Sequence, residues 1–235
     1  MTKKYNPSEE FVTILQPDSA AAEAFRTLRT NLSLKDFDTE LKVINVISAT
    51  AKESKSTTVL NLAYVYSQLG KRVLVVDMDL RLPSIHKKIK MKNEVGVTDI
   101  VARKVRFEDA VIHYTNNMSI ILAGTRTPYA SEFIQSAAFK NFIMACRQQY
   151  DIVILDCPPI NLVTDGMIVS TYTDGTVMVV ASNKVEKKEL EHAKEQLEQF
   201  KVNVLGIVMT RMPVQKKYYS DYNYGYTKNT KTKKK

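Results

Sequence analysis

Six short apolar runs, rich in β-branched residues, recur along the chain: LKVINVI (Leu41 to Ile47), RVLVVD (Arg72 to Asp77), MSIILAG (Met118 to Gly124), DIVILD (Asp151 to Asp156), GTVMVVAS (Gly175 to Ser182) and VLGIVMT (Val204 to Thr210). They are near-continuous rather than alternating, as strands buried on both faces are. Helical periodicity lies between most of them. In STTVLNLAYVYSQLG the apolar positions repeat at helical spacing and Gly70 closes the helix. A helix is expected over Ala20 to Leu34 with Asp18 or Ser19 as its cap, and the clearest one over Glu186 to Phe200. Strands alternating with helices predict an α/β fold: a mainly parallel, twisted sheet with helices on both faces, whose ligands bind at the carboxyl ends of the strands. A single domain is expected over residues 19–212. Residues 1–18 are polar, carry Pro7 and Pro17, and read as a mobile arm; residues 213–235 read as a flexible tail rich in Tyr and Lys.

Charge sharpens this division. The net charge is +9, but Lys216 to Lys235 hold seven lysines and one acid (Asp221), so the tail carries +6 and the rest only +3. A nearly balanced domain argues against a DNA-binding face, and no nucleic-acid partner is expected. No run of about 18 apolar residues occurs, and MTKKYNPSEEF has no apolar core behind its lysines, so neither a spanning helix nor a secretory signal is expected. Cys146 and Cys157 are too few for a disulfide framework and read as buried small hydrophobes in a reducing cytoplasm.

The candidate chemistry gathers at strand ends. SATAKESKSTT (Ser48 to Thr58) follows the first strand and has the frame of the phosphate loop G-x-x-x-x-G-K-[ST], with Ala49 and Ser54 at the two glycine positions. Its backbone N–H groups over Ala51, Lys52, Glu53, Ser54, Lys55, Ser56 and Thr57 would cradle phosphate at a helix start. Lys55 would reach the β- and γ-phosphates of ATP, and the Ser56 hydroxyl would ligate Mg²⁺. Asp156, ending another apolar strand, supplies the second metal-side element. Asp77 and Asp79, two apart at a strand end, face the same way, and like charges so placed call for a cation beside them. One is placed to orient metal-bound water and the other to take the proton of an incoming hydroxyl. The metal set is therefore Ser56, Asp77 and Asp156, and the catalytic set Lys55, Asp77 and Asp79. Glu23, Arg26 and Arg29 form one helical stripe, either a joint between subunits or a solvated face. Tyr218, Tyr219, Tyr222, Tyr224 and Tyr226 crowd nine residues beside Lys, Ser, Asn and Asp, as no packed core would space them; a strip offering phenols as phosphoacceptors fits them better than a surface for stacking bases.

Together VVDMDLRLP, with Asp77-x-Asp79-x-Arg81, EAFRTLR, DCPPINLVTDG, VLGIVMTRM and KKYYSDYNYGY resemble the motifs of the bacterial tyrosine kinases, relatives of the partitioning and cell-division ATPases, from about Ser19 to the C-terminus. The resemblance implies an ATP- and Mg²⁺-dependent protein-tyrosine kinase that autophosphorylates its tail between subunits. It further implies a ring-like homo-oligomer joined through Glu23, Arg26 and Arg29, a membrane-anchored activator of capsule or exopolysaccharide synthesis as partner, a cognate phosphatase, and a cytoplasmic location at the inner face of the membrane. The family usually has glycine where Lys52 and Ser54 stand here. If each Cβ strains the nucleotide-bound loop by about 1–2 kcal/mol, binding weakens roughly 30- to 1000-fold. A regulatory subunit with impaired nucleotide binding and a partitioning-type ATPase are the rival readings.

Overall fold

A computed structural model describes residues 8–35 and 40–212. The strands are β1 (Val43–Ser48), β2 (Val73–Asp77), β3 (Ile112–His113), β4 (Met118–Ile121), β5 (Ile152–Asp156), β6 (Gly175–Ala181) and β7 (Val204–Thr210). They form one sheet in the order β3-β4-β2-β5-β1-β6-β7, parallel throughout except for β3, which runs antiparallel to β4. All six expected strands are present, although the Met118 strand ends at Ile121 rather than Gly124. The two-residue edge strand β3 was not foreseen, because so short a segment leaves no periodicity to read.

The helices are α1 (Val12–Leu15), α2 (Ala20–Lys35), α3 (Lys55–Ser67), α4 (Ile85–Lys88), α5 (Val97–Val101), α6 (Phe107–Ala110), α7 (Ala130–Gln135), α8 (Ala137–Gln149), α9 (Asp165–Ser170) and α10 (Lys187–Gln199). Ser19 caps α2, its hydroxyl accepting from Ala22 N at 3.2 Å. Every central strand is buried along its whole length and sends alternate side chains to two cores. Val43, Ile47, Leu74, Val76, Val153 and Leu155 pack with Phe139, Phe142 and Ile143 of α8, Met167 of α9 and Leu197 of α10. Ile44, Val46, Val73, Val75 and Ile154 pack on the opposite face with Leu32 of α2 and Leu60 and Leu62 of α3. Each such fully buried side chain stabilises the fold by about 1.5–3 kcal/mol. The order β2-β5-β1 sets three motif-bearing strand ends side by side. Among the described residues no helix is long and apolar enough to cross a membrane.

The N-terminal segment departs from the mobile arm expected over residues 1–18. From Ser8 onward it is packed against the domain. Phe11 is fully buried and stacks on Tyr114 with ring centroids 5.0 Å apart. Thr13 donates to the buried Asn61 of α3 from its backbone N (3.0 Å) and its hydroxyl (2.8 Å), and Asn61 Nδ2 donates to Glu10 O (2.7 Å). One aromatic anchor and one buried amide outweigh the polar composition that suggested mobility. Phe11→Ala is expected to cost about 3–5 kcal/mol in urea unfolding of the full chain, whereas a truncation inside a mobile arm would cost less than about 0.5 kcal/mol.

Candidate active site

The loop between β1 and α3 turns through two left-handed residues, Lys52 (φ +61°) and Ser54 (φ +70°). These are the two positions at which sequence reasoning placed a need for glycine. The loop is held from outside by the ends of β6 and β7. The buried Glu53 carboxylate accepts from Thr50 N (2.5 Å) and Thr50 Oγ1 (3.1 Å) within the loop and from Ala181 N (3.0 Å) at the end of β6. Its backbone carbonyl accepts from Thr210 Oγ1 (3.0 Å), and Lys52 O accepts from Arg211 (2.8 Å). Lys184 donates to Ala51 O. A satisfied internal carboxylate and three external donors therefore fix a backbone that glycine would otherwise permit.

The three acids converge on this loop. Asp77 and Asp156 are register neighbours at the ends of β2 and β5, and both are buried. Asp77 accepts backbone N–H groups from Asp79 (3.2 Å), Ser84 (3.1 Å) and Ile85 (3.0 Å), which seats the start of α4. Its carboxyl lies well above the usual range, first because of burial and then because of the Asp156 charge. Burial likewise lifts Asp156 to about 6, against the opposing pull of the Lys55 ammonium and the Ser56 hydroxyl. Neither Asp156 oxygen makes a hydrogen bond of ordinary geometry, and the Ser56 hydroxyl is shared with Ser84 Oγ at 2.6 Å. Asp79 is raised by burial, an effect softened by its bond from Leu82 N (3.0 Å) and by Lys55. Arg81 forms a two-pronged pair with the buried Asp165 (2.8 and 3.2 Å), to which Ser131 Oγ also donates (2.8 Å). That pair pins the turn carrying Asp79.

A cavity of about 600 Å³ opens over these groups, lined by Ala51 to Thr57, Asp79, Arg81, Ser84, Lys88, Pro158, Pro159 and Arg211. That volume is ordinary for a small-molecule site. An AAA domain family model matches residues 41–208. The tyrosine-protein kinase YwqD of Bacillus subtilis is 36% identical over 219 residues, spanning 93% of this chain and 92% of that protein. The chain belongs to the bacterial tyrosine-protein kinases. The solved chimerical protein CapA2B2 superposes on this kinase with a TM-score of 0.84 at 32% identity, over 90% of this chain and 93% of that one. The tyrosine-protein kinase wzc of Salmonella typhi is 31% identical over 94% of this chain but only 31% of its own length.

In this kinase the expected set from Ala51 to Thr57, with Asp77, Asp79 and Asp156, gathers at one end of the sheet. Glu23, Arg26 and Arg29 do not join it: on α2, Arg26 pairs with Glu23 (2.8 Å) and reaches Pro17 O (2.7 Å), and Arg29 donates to Val65 O in α3 (3.1 Å). Tyr218, Tyr219, Tyr222, Tyr224 and Tyr226 lie outside the described residues. Sequence reasoning missed the anchoring by Glu53, Lys184 and Arg211, and the presence of Glu10, Lys88 and Ser84. Arg211 alone carried a signal, standing just past the carboxyl end of an apolar strand. Among the described residues no group of three or more His, Cys, Asp or Glu forms a self-sufficient metal cage. Two buried oxygens on Asp156 without hydrogen bonds of ordinary geometry, and a nearby hydroxyl, nonetheless suit a Mg²⁺ that takes its other ligands from phosphate and water.

Two expected outcomes test this geometry. A carboxyl raised on folding binds more protons in the folded chain, so its contribution is full below about pH 4 and is lost as pH rises through about 6. From 3.8 to about 6 this amounts to roughly 3 kcal/mol. Asp156→Asn should therefore be more stable than the parent at pH 7.5, by up to roughly 3 kcal/mol, and gain nothing at pH 4, in urea unfolding without Mg²⁺ or nucleotide. Because bonds from Ala181, Lys184, Thr210 and Arg211 hold the loop in which Lys52 and Ser54 are left-handed, their strain falls on folding rather than on binding. Lys52→Gly with Ser54→Gly should raise stability by about 1–2 kcal/mol after the glycine entropy offset. Calorimetry should find ATP affinity within about threefold of the parent, not the tightening expected if the strain arose on binding.

Proposed function

We propose that this kinase moves the γ-phosphoryl group of ATP onto phenols of its own C-terminal cluster, Tyr218, Tyr219, Tyr222, Tyr224 and Tyr226, in another copy of the chain. The observation carrying this reading is the convergence of Lys55 and Ser56 on Asp156, a buried carboxylate that makes no hydrogen bond of ordinary geometry. Mg²⁺ bound with the triphosphate would neutralise charge on the β- and γ-phosphate oxygens. Ser56 and Asp156 would hold it, with Asp77 behind them, and Lys55 would reach the phosphates. Asp79, in the cavity wall with a raised pKa, suits the general base. The phenol oxygen bonds to the γ-phosphorus, the bond to the β–γ bridging oxygen breaks, ADP leaves, and the phenol proton passes to Asp79. A second cavity of about 540 Å³ shares Arg81 and Leu82 with the first and is lined otherwise by Arg126, Thr127 and Pro128, giving an acceptor segment an approach.

The same reading places the chain in the cytoplasm at the inner face of the membrane, regulating capsular or exopolysaccharide assembly with a membrane-anchored activator and opposed by a phosphatase. The much longer wzc, matched over 31% of its length, supports a division of labour in which a separate partner supplies what lies outside the kinase. Subunits would associate as a ring through Glu23, Arg26 and Arg29, an arrangement that a single i,i+3 ion pair worth under about 1 kcal/mol does not itself explain.

Incubation with γ-labelled ATP and Mg²⁺, with the activator's cytosolic segment present, followed by phosphosite mapping, tests the proposal. Replacing the five tail tyrosines by Phe should remove most of the label while leaving nucleotide binding intact, and Lys55→Met should abolish both. Label found mainly on Tyr64, Tyr114 or Tyr172 would overturn the acceptor assignment. An unlabelled parent would favour a regulatory subunit.

A further inference from the structure

The N-terminal segment brings a carboxylate into the nucleotide cavity. Glu10 lines that cavity with Lys55, Ser56 and Thr57. One of its oxygens accepts the Thr57 hydroxyl, and the other pairs with Lys88 Nζ at 2.9 Å. Lys88 Nζ also donates to Thr57 Oγ1 at 3.1 Å, closing a triangle of carboxylate, hydroxyl and ammonium. Thr57 belongs to the first turn of α3, whose ladder opens only with Thr58 N donating to Ser54 O at 2.9 Å. A helix start offers free N–H groups and partial positive charge, which favour an anion. The first turn of α3 contains no acid of its own. Glu10, forty-five positions before Lys55 in sequence, supplies the missing negative charge from another element.

We propose that Glu10 is an intramolecular stand-in for nucleotide phosphate, a carboxylate that incoming nucleotide must displace to gain the Thr57 hydroxyl and the Lys88 ammonium. The inference rests on the reading that ATP occupies this cavity, and it adds a built-in competitor to it. Burial would raise the Glu10 carboxyl, yet the Thr57 hydroxyl and Lys88 hold it below its ordinary range, so it is an anion at neutral pH. Its seat does not depend on that charge. Glu10 O is held by Asn61, the buried Phe11 stacks on Tyr114, and Thr13 is bonded to Asn61. The side chain can therefore swing away from Thr57 while the backbone stays docked, and the exchange needs a rotamer change rather than unfolding of the segment. Thr57 and Lys88 change partner from carboxylate to phosphate. Because two like charges compete for the same donors, the effect is confined to ligands that carry phosphate.

Calorimetry on the full chain with Mg²⁺ tests this, using ATP, ADP and adenosine against the parent, Glu10→Gln and Glu10→Ala. Glu10→Gln keeps size and hydrogen-bonding capacity and removes only the charge. Both variants should bind ATP and ADP about tenfold more tightly than the parent, the scale of one charged hydrogen bond partly screened by solvent. Adenosine should bind all three proteins alike. Unchanged or weaker ATP binding in Glu10→Gln overturns the proposal, since the carboxylate would then assist rather than compete. An equal gain for adenosine also overturns it, because the effect would be one of space and not of charge. If adenosine and both nucleotides fail to bind every protein, including the parent, the ATP reading fails and this inference with it. Failure of the competitor alone leaves measurable ATP binding in the parent.

Discussion

Two carboxylates stand at neighbouring register positions on adjacent parallel strands, Asp77 on β2 and Asp156 on β5, in the interior of the protein. They cannot both ionise there without a cation nearby, and the surrounding structure is arranged around that conflict. Asp77 is bonded by backbone N–H groups and becomes a structural acid that seats α4. Asp156 makes no hydrogen bond of ordinary geometry and faces Lys55 and Ser56. Environment thus gives two chemically identical side chains separate tasks. It also concentrates uncompensated negative charge at the cavity floor, beside the Lys55 ammonium.

The loop above the acids solves a different problem. Glycine makes left-handed backbone accessible; Lys52 and Ser54 do not. Here the conformation is imposed by neighbours: Glu53 reaches across to Ala181, while Thr210, Arg211 and Lys184 hold successive carbonyls. Cross-links of this kind replace local permissiveness with tertiary constraint, and the cost is met once, in folding. A loop that looks degraded in sequence is therefore held in shape by the protein around it.

Much of this was legible beforehand. Continuous β-branched runs marked six strands, the acids closing two of them pointed to the carboxyl end of a parallel sheet, and the frame around Lys55 located the phosphate loop. The failures share a cause. Phe11 and Glu10 act through contacts with residues roughly fifty or more positions away in Asn61, Thr57, Lys88 and Tyr114, which leave no periodic trace in a polar, proline-flanked stretch. Glu53 looked like one more loop residue because its partner lies at the end of β6. The stripe of Glu23, Arg26 and Arg29 had two readings in sequence, and its intramolecular bonds to Glu23, Pro17 and Val65 occupy the arginines without deciding between them.

The strand order has a consequence for biosynthesis. β1 lies between β5 and β6, with Val43 in register with Val153 and Ile44 with Gly175. Neither neighbour exists when β1 and α3 leave the ribosome, and the Glu53 anchor must wait for Ala181. At about 5–20 residues per second, the phosphate-binding half of the chain spends several seconds with β1, buried in the finished fold, still unpaired. Sheet assembly is then a late, long-range event with a high loop-closure cost. The nascent chain is consequently most exposed to mispairing and chaperone capture through its N-terminal half, well before the terminal tyrosines have been translated.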